Sequence, residues 1–335
     1  MKFKFILLAG LSLILVWGCK PNAPEDETQT NVKVKVPRFE MDSAYAYVAK
    51  QLEFGPRVMN SEGHEACKNW LVNKLKSFGA KVTEQHFQAK TYNGLTVNGT
   101  NITGSYNPES RTRILLAAHW DSRHIADSPL STERRDEPIL GADDGASGVG
   151  VLLEVARQLQ QNPISIGVDI VLFDAEDYGE SNVEYTTQAE QLAGVMTWAL
   201  GSQHWAKSFS GTKPIYGILL DMVGAKGAYF PKEEYSRTFA PQLVEKIWSM
   251  ANSMGYSSFA QVNGGGVTDD HFFVNRSAGI PMVDIINMPP NSANKSFGDH
   301  WHTHNDNLDI IDPRTLRAVG QVVLAVLYNE NNGDF

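Results

Sequence analysis

Four short polar segments of this sequence concentrate histidine and carboxylate side chains, which can bind a metal ion or move a proton. In one of them, Glu176 and Asp177 are adjacent, so that one carboxylate can hold a metal while its neighbour handles protons. The segments are residues 119–121 (HWD), 141–148 (GADDGASG), 176–177 (ED) and 300–307 (HWHTHNDN), and Asp221 and Asp269 are further candidates. Oxygen and imidazole ligands without a thiolate fit a catalytic Zn²⁺, and Mn²⁺ or Co²⁺ would also fit.

Each segment taken alone also has a purely structural interpretation. Glu176 and Asp177 could form a solvated acidic turn. His119, a candidate metal ligand with Asp121 orienting it, could instead be a hydrogen-bonded structural histidine. Either aspartate of residues 141–148 could cap the following helix, as could Asp269, because Asp is a preferred N-cap residue. The case for a metal site therefore rests on whether the fold brings the segments together.

The predicted strands that precede these segments indicate that the fold does bring them together. Apolar runs at residues 114–118, 168–173, 215–220 and 281–286 end at or near the polar residues, and their composition is typical of strands buried on both faces. Further strands are predicted at residues 81–89 and 95–106, and helices at 42–52, 64–78, 146–160, 189–209, 241–254, 269–277 and from Pro313 to about 328. Asp42 or Ser43 is the predicted cap of the first helix and Asp312 that of the last. The pattern predicts an α/β fold, a three-layer α/β/α domain with a central mixed, mostly parallel sheet, whose site lies beyond the carboxyl ends of the strands.

The N-terminal residues are typical of a targeting segment rather than of part of that fold. Residues 1–18 have a short basic start and an apolar stretch, and with Cys19 they are similar to a bacterial lipoprotein signal peptide. Residues 19–36 are polar and predict a tether, which leaves residues 37–335 as a single catalytic domain. We expect an extracytoplasmic protein anchored by a lipid on Cys19, in the periplasm or outer membrane of a bacterium; an uncleaved anchor or an ordinary signal peptide is the alternative.

Composition limits the possible partners. The 335 residues are 42% hydrophobic and 20% charged, which excludes a disordered, collagen-like or multi-span membrane protein. A net charge of −9 without a run of lysine or arginine argues against nucleic acid. We therefore expect no nucleic-acid partner, and membrane contact only through the lipid. Once Cys19 is acylated, Cys67 is the one remaining cysteine and is expected to be buried and inert.

The motifs, taken in order, resemble those of the zinc-aminopeptidase superfamily and, within it, of the animal-type (type II) glutaminyl cyclases. The resemblance covers about residues 40–330 and is carried by FGPR (54–57), HWDSR (119–123), GADDGASG (141–148), LFDAED (172–177), LLDMVG (219–224), TDDHFF (268–273) and WHTHNDN (301–307). It implies one zinc per chain with Asp144, Asp177 and His302 as ligands. Asp177 stands where the animal enzymes have glutamate.

The resemblance also implies an activity. A cyclase converts the N-terminal glutamine of peptides into pyroglutamate and releases ammonia. By resemblance, Glu176 is the general acid and base, while Asp221 and Asp269 hold the substrate amine and the leaving group. Trp198, Phe297 and Trp301 line the pocket for peptides that begin with glutamine.

Two other functions remain open at this point. In a dinuclear zinc aminopeptidase, Glu176 would activate a metal-bound water. Two zinc ions would share five ligands, His119, Asp144, Asp177, Asp221 and His302, and His119 and Asp221 would be free to bind the second metal. A non-catalytic binding lipoprotein on the same fold is the third possibility, although its site would be expected to lack the base or a ligand.

Overall fold

The computed structural model describes residues 35–335, so the predicted signal segment and nearly all of the predicted tether lie outside the described residues. The central sheet has six strands: β1 (Lys81–Lys90), β2 (Thr96–Tyr106), β3 (Arg113–His119), β4 (Gly167–Phe173), β5 (Tyr216–Asp221) and β8 (Met282–Ile286). Their spatial order is β1-β2-β4-β3-β5-β8. The pairs β4-β3, β3-β5 and β5-β8 are parallel, and the pairs β1-β2 and β2-β4 are antiparallel. The predicted mixed, mostly parallel sheet is confirmed.

Helices cover both faces of this sheet, because successive side chains of its central strands enter different apolar clusters. On β3, Ile114 and Leu116 pack into the larger cluster, whereas Leu115 and Ala117 pack into a second cluster on the opposite face. This alternation is expected when one strand contributes to two cores. The described helices are α1 (Met41–Leu52), α2 (Glu62–Ser77), α3 (Ala146–Gln161), α4 (Gln188–Val195), α5 (Leu200–Ser208), α6 (Glu234–Phe239), α7 (Pro241–Ser253), α8 (Asp270–Phe273) and α9 (Pro313–Asn332). The three-layer architecture is confirmed.

Several local predictions were wrong. The predicted helix 189–209 is two helices, α4 and α5, because the chain leaves the helical conformation at residues 196–199 and Ala199 adopts φ +51°. The last predicted helix before β8 is a short α-helix followed by the π-helix Val274–Ala278. Helix α6 and a small second sheet of β6 (Phe230–Lys232) and β7 (Phe259–Asn263) were missed.

Helix capping was predicted with mixed success. Helix α1 begins after Glu40, whose side chain makes no capping hydrogen bond, so the predicted Asp42 or Ser43 cap was wrong. Asp312 caps α9 by accepting from the Arg314 N–H, and Pro313 occupies the first turn, as predicted. Cys67 is fully buried in the larger apolar cluster, as expected. Across residues 35–335, no helix is long and apolar enough to cross a membrane.

The strand ends carry the polar residues to one edge. His119 is the last residue of β3 and Asp221 is the last residue of β5. Asp174 follows β4 directly, and the chain then turns through Ala175, which has φ +56°, to Glu176. Since β3, β4 and β5 run parallel, these residues share the carboxyl edge of the sheet.

Candidate active site

Asp144, Asp177 and His302 converge at this edge although they come from three separate segments. Asp144 precedes α3, Asp177 follows β4, and His302 lies in the loop after β8. One ligand atom from each lies within 4.8 Å of the other two, and all three side chains are buried. His302 Nε2 lies 3.0 Å from Asp177 Oδ1 and 3.7 Å from Asp144 Oδ2. The predicted trio is brought together.

The surroundings of His302 fit a metal ligand. Its Nδ1 lies 2.9 Å from Asp127 Oδ1, so the ring donates at Nδ1 and turns Nε2 toward the two aspartates. A carboxylate on the far nitrogen of a histidine is the usual partner that fixes the tautomer of a zinc-binding imidazole. Asp177 Oδ2 is buried without a hydrogen-bond partner, as expected of an oxygen that faces a cation. One nitrogen and two carboxylates form a donor set that zinc accepts in catalytic sites.

Asp127 was not predicted from the sequence, and a buried hydrogen-bond network holds its carboxylate in place. Arg123 holds the Asp127 carboxylate with two hydrogen bonds, at 3.2 Å from Nε and 2.7 Å from Nη2. The same guanidinium donates to the backbone carbonyl of Asp177 at 2.9 Å. Arg123 thus connects the partner of one ligand to the backbone of another. The hydroxyl of Ser181 also donates to Asp127.

Two further carboxylates each hold a pair of backbone N–H groups beside a ligand. Asp121 accepts from Glu176 and Asp177, both at 3.1 Å. Asp306 accepts from Asp143 at 2.7 Å and from Asp144 at 3.1 Å. We call Asp121 and Asp306 the two clamp carboxylates. Asp121 was expected to orient His119, but its Oδ1 is 3.5 Å from His119 Nδ1, so its main contacts are with the Glu176–Asp177 backbone.

Glu176 is positioned to transfer protons inside the site. Its side chain is 9% exposed and lines the same pocket as the three ligands. Burial raises the pKa of Glu176 well above its usual range; nearby His119 opposes the shift, while Asp269 and Asp177 add to it. A carboxyl group in this setting can both accept and return a proton near neutral pH. The solvated-turn interpretation of these residues is wrong.

His119 and Asp221 form a second group that shares Asp144. His119 Nε2 lies 2.9 Å from Asp144 Oδ1 and 3.2 Å from Asp221 Oδ1, and one atom of each residue is within 4.8 Å of the others. Burial opposes a charge on His119, but contacts with Asp121, Asp144 and Asp221 raise its pKa. Burial raises the pKa of Asp221 well above its usual value, the His119 contact lowers it, and Asp144 adds to the increase. The five positions that match the metal ligands of dinuclear zinc aminopeptidases therefore form one group in space, with Asp144 shared between the two trios.

The three predicted aromatic residues line one pocket of about 350 Å³ together with the ligands and Glu176. Trp301 stacks on the His302 ring at 3.7 Å and lies 5.0 Å from Phe297, centroid to centroid. Trp198 is nearly parallel to the His302 ring at 6.3 Å. Trp198 lies in the break between α4 and α5. This break, which was not predicted from the sequence, therefore positions a residue that lines the pocket. These side chains enclose a narrow, partly apolar space around the candidate metal ligands.

Asp269 lines the pocket and connects it to a buried polar group. Its carboxylate accepts the N–H of Asp270, so the predicted capping role is confirmed, and its Oδ2 has no hydrogen-bond partner. Asp269, His271 and Asp284 each contribute one atom to a set within 4.8 Å. His271 Nε2 lies 3.1 Å from Glu233 Oε2 on the side away from Asp284. Asp269 is thus a buried carboxylate facing both the pocket and this group.

The remaining histidines of the 300–307 segment do not join the metal ligands. His300 Nε2 lies 2.9 Å from Asp143 Oδ2, and His304 Nε2 lies 3.0 Å from the Arg134 carbonyl.

Asp143 also accepts from the Gly224 N–H at 2.6 Å. The helix-cap interpretation of residues 141–148 is wrong, since α3 begins after Gly145 at φ +65° without a side-chain cap.

Comparisons with known proteins agree with this geometry. A model of peptidase family M28 matches residues 101–327. The structure of a Bacteroides thetaiotaomicron glutaminyl cyclase bound to N-acetylhistamine is 47% identical, covers 88% of this chain and 99% of its own, and has a TM-score of 0.83. A Zn-dependent exopeptidase from Parabacteroides distasonis is also 47% identical, covers 88% and 100%, and has a TM-score of 0.82. A glutaminyl-peptide cyclotransferase from Bothrops jararaca is 26% identical over 297 residues, 80% of this chain and 75% of its own.

Proposed function

We infer that this chain, which belongs to peptidase family M28, is a glutaminyl-peptide cyclotransferase that converts the N-terminal glutamine of peptides into pyroglutamate and releases ammonia. The observation that carries the assignment is the pocket of about 350 Å³. It combines a metal-binding trio, a buried glutamate and three aromatic side chains. A glutamine side chain fits this combination because it has a small polar end on a short apolar stem.

We propose that one zinc ion is held by Asp144, Asp177 and His302. When bound, zinc is a Lewis acid that polarises the γ-carbonyl of the substrate amide. The trio supports this because its donors are one nitrogen and two carboxylates, with His302 oriented by Asp127 and Asp177 Oδ2 left without another partner.

Glu176 is the residue proposed to move the proton. The α-amine of the substrate reacts in its neutral form, after losing the proton of its ammonium form to solvent. The Glu176 carboxylate takes one further proton from this nitrogen as it attacks the γ-amide carbon. A carbon–nitrogen bond forms within the substrate, the bond to the amide nitrogen breaks, and Glu176 returns the proton to that nitrogen as ammonia leaves. No water is consumed. Because amine and carbonyl belong to one molecule, the entropic cost of bringing them together is small.

The remaining pocket residues position the amine and keep water out. Asp221 and Asp269 are buried carboxylates on the pocket wall and are proposed to orient the α-amine and stabilise its positive charge. Trp198, Phe297 and Trp301 cover the space around the reacting atoms. Exclusion of water matters because water attack on the same carbon would give glutamate instead of pyroglutamate.

A dinuclear aminopeptidase is the alternative, and one observation favours it. His119, Asp144 and Asp221 offer three ligand atoms within 4.8 Å, which could hold a second metal. Metal analysis of the purified protein distinguishes the two functions. We expect about one zinc per chain for the cyclase and about two for the aminopeptidase.

We also propose that the protein is a lipoprotein outside the cytoplasm. The support is the sequence of residues 1–18 followed by Cys19, which is similar to a lipoprotein signal peptide, and the polar residues 19–36 that would tether the domain. Mass analysis of the mature N-terminus tests this. An acylated Cys19 supports the proposal, and an unmodified Met1 or a cleavage site elsewhere contradicts it.

The test of the mechanism is Glu176→Gln, which keeps the side-chain size and removes the base. We expect turnover of a glutamine-initiated peptide to fall by about 10²–10⁴-fold, the usual contribution of general acid–base catalysis. Zinc content and melting temperature should stay close to those of the parent. The matched control is Glu109→Gln, which alters an exposed carboxylate in the turn between β2 and β3, at the opposite end of β3 from His119. An active E176Q protein would show that the base is assigned to the wrong residue.

A further inference from the structure

Exposed apolar side chains are concentrated in one segment of the chain that contributes to the wall of the active-site pocket. Four large hydrophobic residues between 183 and 196 are well exposed: Val183 by 43%, Tyr185 by 36%, Leu192 by 54% and Met196 by 40%. Val183 and Tyr185 also line the pocket, whereas Leu192 and Met196 do not. A cluster of exposed apolar residues beside a functional pocket is a common mark of a binding surface.

Residues 179–198 are folded back on themselves, so this surface is fixed in place. The Trp198 indole packs directly on Gly179, and the hydroxyl end of Tyr185 packs on Gly194, each where a Cβ would overlap the ring. Between these contacts, the Glu180 N–H donates to Thr197 Oγ1 at 2.9 Å. The segment therefore holds Trp198 inside the pocket and Tyr185 at its mouth as one packed unit.

Other apolar residues complete the mouth of the pocket. Val195, Val267 and Met288 line it together with Val183 and Tyr185, and we call these five residues the apolar rim. Glu180 is also part of the lining, and among the described residues no lysine or arginine lines the pocket. The pocket thus changes from acidic and metal-binding at its floor to apolar at its mouth.

We propose that the apolar rim binds the side chain of the second substrate residue and gives the enzyme a preference for large apolar residues there. This rests on the proposed function. With glutamine in the inner pocket, the next Cα lies about 3.8 Å further along the chain, at the mouth. An apolar side chain there is removed from water against Val183 and Tyr185. A second-residue carboxylate would instead meet the negative charge of Glu180.

The test compares the dipeptide amides Gln-Leu, Gln-Gly and Gln-Glu on the full-length, zinc-loaded enzyme. Partial burial of a leucine side chain predicts a kcat/KM about tenfold higher for Gln-Leu than for Gln-Gly. We expect Gln-Glu to fall below Gln-Gly. Equal kcat/KM for Gln-Leu and Gln-Gly would overturn the inference while leaving the cyclase intact. No pyroglutamate from any of the three would overturn the cyclase assignment, and this inference with it.

Paired variants assign the preference to the rim. In V183S/Y185S we expect the Gln-Leu to Gln-Gly ratio to fall to within about twofold, because the apolar contact is lost. The matched control is L192S/M196S, which changes two equally exposed apolar residues of the same segment that do not line the pocket and should keep the tenfold ratio. The ratio is measured within one protein, so a smaller active fraction does not affect it. A ratio unchanged in V183S/Y185S, or lost equally in the control, would overturn the role of the rim.

Discussion

The two clamp carboxylates provide a prediction that separates zinc binding from catalysis. Asp306 holds the backbone that carries the ligand Asp144, and Asp121 holds the backbone that carries both the ligand Asp177 and the proposed base Glu176. The perturbation is Asp→Asn at each position, which preserves shape. The two variants should therefore lose zinc affinity alike but differ in catalysis.

The magnitude follows from the hydrogen bonds that each carboxylate accepts. An asparagine keeps one oxygen for one N–H group and presents its NH₂ to the other, so one charge-assisted hydrogen bond is lost, about 1.5–3 kcal/mol. Loss of an outer partner of a metal ligand usually weakens metal binding by about 10–100-fold. We expect zinc dissociation constants in that range for both D306N and D121N. D136N, which changes an exposed loop aspartate, is the control.

The assay has two parts. Competition with a chromophoric chelator gives the zinc dissociation constant, and turnover of a glutamine-initiated peptide at saturating zinc gives kcat. We expect D306N to recover the parent kcat once zinc is saturating. D121N should remain at least about tenfold slower, because Glu176 stays misplaced after the metal is restored.

Two results would refute this reasoning. Zinc affinity unchanged in both variants would show that the clamps do not position the ligands. Full recovery of D121N at saturating zinc would show that its hold on the Glu176 backbone does not matter for catalysis. A lower melting temperature alone, with affinity and kcat intact, would show a structural role only.

Two further predictions concern the pocket wall and acid stability. Gly179→Ala places a Cβ into the Trp198 indole, so kcat/KM for a glutamine-initiated peptide should fall by about tenfold. The control is Gly265→Ala, whose Cβ would approach only the Met288 methyl at 4.0 Å, and its kcat/KM should stay within about twofold of the unsubstituted enzyme in the same assay. Burial would raise the pKa of Glu233, but hydrogen bonds from His271 and from the Ser236 and Tyr235 N–H groups lower it from its ordinary 4.5 to about 2. This depressed pKa contributes about 3 kcal/mol of stability that is fully present above pH 4.5 and lost as the pH falls toward 2. The stability difference between the parent and E233Q, from urea unfolding, should therefore shrink by about 1 kcal/mol between pH 7 and pH 4, and a constant difference would refute the assignment.

The sheet and the metal-binding trio were predictable because each depends on a local pattern. Apolar runs such as residues 114–118 are long enough to mark strands buried on both faces. Parallel strands place their carboxyl ends at one edge, so the residues that follow them had to meet. Asp144, Asp177 and His302 were identified through this rule together with the family resemblance.

The features that sequence reasoning missed depend on contacts between distant segments. Asp127 meets His302 across 175 residues, and Asp306 meets the Asp144 backbone across 162. Nothing near Asp127 in the sequence marks it as the partner of a ligand. The break before Trp198 was missed for a related reason: the segment has helical composition, but tertiary packing against Gly179 and Arg123 favours a turn.

The most direct test of the central claim is mass spectrometry of a Gln-initiated peptide and an N-terminal leucine amide incubated with the full-length protein, with and without a zinc chelator. A zinc-dependent glutaminyl cyclase would release ammonia from the Gln peptide, in a reaction abolished by the chelator and restored by added zinc, and would leave the leucine amide intact. Release of free leucine together with an unmodified Gln peptide would contradict the cyclase assignment. It would instead make the protein an aminopeptidase with His119 and Asp221 as metal ligands.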